Sequence, residues 1–148
     1  MRKKSFVRNL VTAGALLLAV LVAAHVALAG GAPRVTTLSG AEEVPPADPD
    51  GSGFATIVLD HGQETVCWAI SFANITAPFA AHIHVAPAGV NGPIVVPLNP
   101  IISGCTAVDR DLIKAIIQDP ELYYVNVHNA DFPGGAIRGQ LSNPGQSE

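Results

Sequence analysis

Residues 65–72 read Thr-Val-Cys-Trp-Ala-Ile-Ser-Phe, a strict alternation with Val66, Trp68, Ile70 and Phe72 on one face and Thr65, Cys67, Ala69 and Ser71 on the other. Successive side chains of a strand point to opposite faces, so this period of two predicts a half-buried antiparallel strand with one large apolar face. Strands are likewise expected over residues 35–38, 54–59, 81–85, 94–98, 123–128 and 136–141, which are separated by clusters of Gly, Pro, Asn and Asp. The first of these reads as an edge strand. Pro97 and Pro100 place 94–98 near an edge too, because proline cannot donate to a ladder. Pro45 and Pro46 keep residues 41–46 out of any sheet interior and predict extended chain along a rim. One helix is expected over 109–118: Leu112, Ile113, Ile116 and Ile117 form an apolar stripe, Thr106 or Asp109 caps its start, and Pro120 ends it. About seven short strands and a single helix describe an all-β fold, an antiparallel β-sandwich or Greek-key immunoglobulin-like barrel, and exclude a parallel α/β architecture.

Residues 1–29 read as a signal peptide. Arg2, Lys3, Lys4 and Arg8 precede an apolar run over 10–26, and Ala27-Leu28-Ala29 has the small-x-small pattern that signal peptidase accepts. This leaves a lead-in over 30–34, a β domain over 35–142 and a polar tail over 143–148. The apolar run is near the lower length limit for a spanning helix, so a membrane association is expected only if it is retained. All 12 acidic residues lie beyond residue 29, whereas only Arg34, Arg110, Lys114 and Arg138 of the 8 basic ones do. Phosphate binding needs clustered Lys and Arg, so nucleic acid is excluded as a partner, and the same deficit speaks against an anionic membrane surface. The expected location is secreted or periplasmic, in the cell envelope, with an extracellular or envelope partner. Cys67 and Cys105 are the only cysteines, and in an oxidising compartment they read as one disulfide.

The chemistry-bearing residues are imidazoles. In Ala81-His82-Ile83-His84-Val85, a strand puts His82 and His84 on one face; His128 ends a second strand, in which Tyr124, Asn126 and His128 share a face. A His-x-His strand with a third histidine from another strand suits one copper or zinc ion. The competing reading is architectural, with the rings bonded to carbonyls or tyrosine hydroxyls. Tyr124 and Asn126 are candidates to orient a ligand from behind, and His61, in a turn, is available as a fourth ligand.

Five ordered motifs carry a family resemblance: Leu38-Ser39-Gly40 through Glu43-Val44-Pro45-Pro46, then Ala81-His82-Ile83-His84, Asn91-Gly92-Pro93-Ile94-Val95, Tyr124-Val125-Asn126-Val127-His128 and Ile137-Arg138-Gly139-Gln140-Leu141. Together they resemble the CHRD family, first described as repeats in chordin and also found as single secreted domains in microbes. The resemblance spans residues 35–141 and implies an extracytoplasmic, all-β, immunoglobulin-like or barrel-like domain without a defined biochemical role. Related domains often carry Glu just before the Ile-Arg-Gly-Gln run, where this chain has Ala136. Glu43 and Arg138 each stand in a family-like motif, and an ion pair between them would tie the first segment to the last strand.

The function expected is that of an exported binding or interaction module, holding one copper or zinc ion through His82, His84 and His128. The alternatives are a copper-dependent enzyme resembling superoxide dismutase and a purely structural extracellular domain. A dinuclear copper-zinc site needs six histidines, and only His61, His82, His84 and His128 lie beyond residue 29. Hydrolase chemistry has no Gly-x-Ser-x-Gly elbow to support it, and the adjacent Glu42 and Glu43 point to opposite sides of an extended chain.

Overall fold

The computed structural model describes residues 30–146; the signal-peptide expectation for residues 1–29 lies outside them. The described chain forms strands β1 (Ala32–Ser39), β2 (Ser52–Asp60), β3 (Thr65–Ala73), β4 (Pro78–Val85), β5 (Ile94–Pro97) and β6 (Ser103–Ala107), then helix α1 (Arg110–Gln118), then β7 (Tyr123–Asn129) and β8 (Ile137–Gln140). Single 3-10 turns lie at Gly40–Glu42 and Pro120–Leu122. All strand pairings are antiparallel, in one sheet ordered β5-β4-β7-β8-β1-β2-β3-β6. The protein is all-β with one short helix, as the alternation predicts.

The sheet curls on itself. Residues from near both ends, Ile83 on β4 and Val96 on β5 against Val66 and Trp68 on β3, belong to a single buried cluster with Leu38, Ile57, Val125 and Ile137. Burial of each such side chain contributes about 1.5–3 kcal/mol. Helix α1 covers one flank, sending Ile113 and Ile116 into the same core. The Asp109 carboxylate accepts from the N–H groups of Asp111 and Leu112, so the capping residue is Asp109 and not Thr106.

Two expectations about strands are corrected. β1 is an interior strand, paired along its length with β2 and touching β8 at Ser39↔Arg138, because a core residue such as Leu38 needs cover on both sides. Residues 103–107 form an edge strand on β3 that Ser-Gly-Cys-Thr-Ala, with no large apolar residue, does not announce. β5 is the opposite edge, as its prolines require. The β1–β8 junction depends on Gly139: a Cβ there would lie 2.1 Å from the Thr37 carbonyl oxygen and 2.3 Å from Thr36 Oγ1.

One consequence of the strand order positions the site. β4, β7 and β8 are neighbours, and the registers His82↔Asn126, His84↔Tyr124, Asn126↔Arg138 and Tyr124↔Gln140 gather their polar side chains on the face away from the core. That face is itself covered, by the 86–93 and 130–136 loops, which is why all seven residues of β7 are buried.

Candidate metal centre

His82 and His84 lie on β4 with Ile83 between them fully buried on the core side. His128 lies on β7, opposite Ala80. The three imidazoles each offer a ring nitrogen, and these nitrogens lie within 4.8 Å of one another. His82 Nδ1 and His128 Nε2 are 3.0 Å apart. A metal bound by imidazole nitrogens at about 2.0–2.1 Å in a tetrahedral site separates its ligand atoms by about 3.3 Å, so the group has nearly the size that an ion requires.

A loop carbonyl fixes which nitrogen of the His84 ring is free. His84 Nδ1 donates to the Gly92 carbonyl at 2.8 Å, and His128 Nδ1 is 3.1 Å from the Pro133 carbonyl. A ring nitrogen tied to a carbonyl sets the tautomer and leaves the other nitrogen's lone pair for a metal. His84 Nε2 is buried and has no hydrogen-bond partner. Asn126 Oδ1 lies 3.0 Å from His128 Nε2, the nitrogen that also faces His82, so Asn126 meets this ring from the front, and a neutral His128 donates to only one of Pro133 and Asn126.

Burial sets the charge state. It lowers the His82 pKa to about 4, with the neighbouring His128 and His84 adding to the effect. Burial also lowers the pKa of His84, against the opposing pull of the Gly92 carbonyl and the Asn126 side chain, and that of His128, against the pull of the Pro133 carbonyl. All three rings are neutral near pH 7, the form in which imidazole binds metal.

Behind His84 runs a stack. The Tyr124 ring lies parallel to His84 at 4.7 Å between centroids, and the Arg138 guanidinium carbon lies 3.4 Å from the Tyr124 centroid on β8's side. The Tyr124 hydroxyl accepts from the Gly92 N–H, so one residue of the 86–93 loop holds both the tyrosine and the histidine. Tyr124 therefore supports His84 by stacking and by way of Gly92.

The expected pair between Glu43 and Arg138 is not made. Arg138 is 1% exposed and spends its guanidinium on the Pro87 and Val90 carbonyls and on Asn91 Oδ1. The Glu43 carboxyl lies instead against Gly135 and accepts no hydrogen bond at Oε1. The acceptors of the loop outcompete the carboxylate because they surround the fork on β8, whereas Glu43 stands on the rim segment. His61 is exposed in the β2–β3 turn and does not join the three-histidine group. Cys67 and Cys105 form the disulfide, facing one another across β3 and β6. The orienting carbonyls of Gly92 and Pro133 are what residue types alone do not reveal: Asn91-Gly92-Pro93 and Pro133-Gly134-Gly135 read only as turns.

The site therefore belongs to a curled antiparallel domain, stapled by one disulfide, that buries under two loops a histidine cluster able to hold a metal ion. Residues 34–141 match the CHRD domain model, and the chain belongs to the CHRD domain family. No curated protein and no solved structure matches the chain.

Proposed function

We propose that the protein is an exported binding module that holds one copper or zinc ion between His82, His84 and His128. The observation that carries this reading is the buried, unpartnered Nε2 of His84 within a group of three neutral imidazoles. A buried nitrogen lone pair left without a donor is costly, and an ion at the centre of the group removes that cost. Imidazole suits both ions, and at equal geometry divalent copper binds more tightly than zinc. When bound, the ion supplies a Lewis acid or, as copper, a one-electron centre. Three protein ligands leave a further position for water or for a group from an extracellular or envelope partner.

Export is supported by the leader-like composition of residues 1–29 and by the disulfide, which persists in oxidising compartments. Among the described residues no helix is long and apolar enough to cross a membrane. Metal analysis of the untagged mature protein, followed by copper and zinc titration of wild type and His84→Ala, tests the reading. One equivalent bound by wild type and none by the variant is expected; no uptake at micromolar metal ends it. A superoxide assay on copper-loaded protein separates binder from enzyme, with no activity above free copper expected.

A further inference from the structure

A cleft opens between the 43–47 rim segment and the 131–135 loop. Its volume is about 320 Å³, and its walls are the rim segment with Val44, Pro45 and Pro46 and the loop with Phe132 and Pro133. Two acids line it, Glu43 and Asp131. Glu43 is 5% exposed, yet its Oε1 has no hydrogen-bond partner. The carboxyl can sit this deep because residue 135 is glycine: a Cβ there would lie 2.3 Å from Oε1, and the φ of +140° is one that L side chains rarely adopt. Asp131 is half committed, its Oδ2 accepting from Thr76 Oγ1 at 2.8 Å. Arg138, a buried cation, gives its terminal N–H groups to the 86–91 loop and none to Glu43.

A buried carboxylate with no donor, at the base of a cleft walled by proline and phenylalanine rings, has a defined complement. We propose that this cleft binds a primary ammonium group on a short alkyl stem, with the N–H groups donating to the Glu43 carboxylate and the stem lying between Pro45 and Phe132. The volume is at the lower end of small-ligand sites, which matches a stem of a few carbons and no more. The negative charge of Glu43 and Asp131 selects cation over anion, and the rings favour an alkyl ammonium over a bare metal ion. Burial raises the Glu43 pKa to about 7 even against the charge of Arg138, which pulls it down. The proposal stands apart from the metal reading, since none of these residues is a histidine of the cluster.

The same chemistry is presented by a free small amine and by a lysine side chain of another protein, and the test has an arm for each. Amide NMR spectra of the ¹⁵N-labelled mature protein are followed at pH 8 during titration with n-butylamine, n-butanol, butyrate and Nα-acetyl-lysine methylamide. Saturable shifts confined to Val44, Gly134 and Gly135 are expected with n-butylamine, with a dissociation constant on the order of 1 mM, and none with butanol or butyrate. Equal saturation by the lysine amide assigns the cleft to a protein lysine; saturation by n-butylamine alone assigns it to a free amine. Glu43→Gln, which preserves shape, should weaken binding about tenfold or more. Gly134→Leu gives a second check, because a Cβ at Gly134 meets nothing within 4 Å and the side chain narrows the mouth without disturbing the fold. Butanol shifting the same amides as strongly as the amine, unchanged affinity in Glu43→Gln, or no saturable shift with any probe overturns the proposal.

Discussion

Arg138 lies over the Tyr124 ring, its guanidinium carbon 3.4 Å from the ring centroid, and the same ring stacks on His84. A residue of the last strand is thereby coupled to the candidate metal ligand through one aromatic ring. The coupling is also made through the 86–93 loop, because Arg138 holds Pro87, Val90 and Asn91 while Gly92 holds His84 and Tyr124.

Arg138→Lys should therefore not behave as a conservative change. An ammonium keeps the charge but loses the planar stack and cannot fork to three acceptors. The part-buried bonds to Pro87, Val90 and Asn91 are weakened or lost, at a cost of about 1–2 kcal/mol. Urea unfolding followed by circular dichroism reads this as a lowered midpoint at unchanged slope.

The disulfide joins residues 38 positions apart and pins β6, an edge strand whose only partner among the described residues is β3. Cys67→Ser with Cys105→Ser should lower stability by about 4 kcal/mol if chain entropy dominates. Hydrogen exchange should quicken first in Ser103–Ala107, because no second neighbour holds that strand. Uniform exchange across the sheet would show that the bond acts only on the unfolded chain.

Period-two alternation made β2, β3, β4 and β7 legible, and it put His82 with His84 on one face of β4 whatever the register, whereas their meeting with His128 depends on the β4–β7 pairing. Strand order was not legible: nothing local in residues 32–39 says that β1 pairs with β2 and meets β8, and β6 carries no apolar pattern to find. The pair assigned to Glu43 and Arg138 failed for a related reason. Charge complementarity names partners but carries no distance, and backbone carbonyls, which satisfy Arg138 here, leave no mark in a sequence.

Asn91 ties the 86–93 loop at two points, donating from Nδ2 to the Val44 carbonyl at 2.6 Å and accepting from Arg138 at Oδ1. Asn91→Ala loosens the loop whose Gly92 carbonyl aims His84, without touching the imidazoles. Loss of such supporting contacts typically costs 10–100-fold in metal affinity, and a drop of about tenfold for copper or zinc is expected. Competition titration against a chelator measures it, with His61→Ala as the variant that should match wild type. An Asn91→Ala affinity equal to wild type would mean that the loop does not orient the ligand.

Glu43 makes stability depend on pH in a direction opposite to that of a salt-bridged acid. Burial raises its pKa from the ordinary 4.5 to about 7, with Arg138 pulling weakly the other way. Below about pH 4.5 the carboxyl is protonated in folded and unfolded chains alike, and it costs nothing. Between 4.5 and 7 the unfolded chain releases the proton while the folded chain keeps it, so stability falls as pH rises and levels off above 7. Glu43→Gln removes this titration. The variant should match wild type at pH 4 and exceed it at pH 8 by about 1–2 kcal/mol, allowing for partial solvent screening. Comparing urea midpoints of the two proteins at both pH values isolates the carboxyl, since every other titrating group is shared. A gap that fails to widen between pH 4 and pH 8 would mean that the cleft already supplies Glu43 with water or a donor.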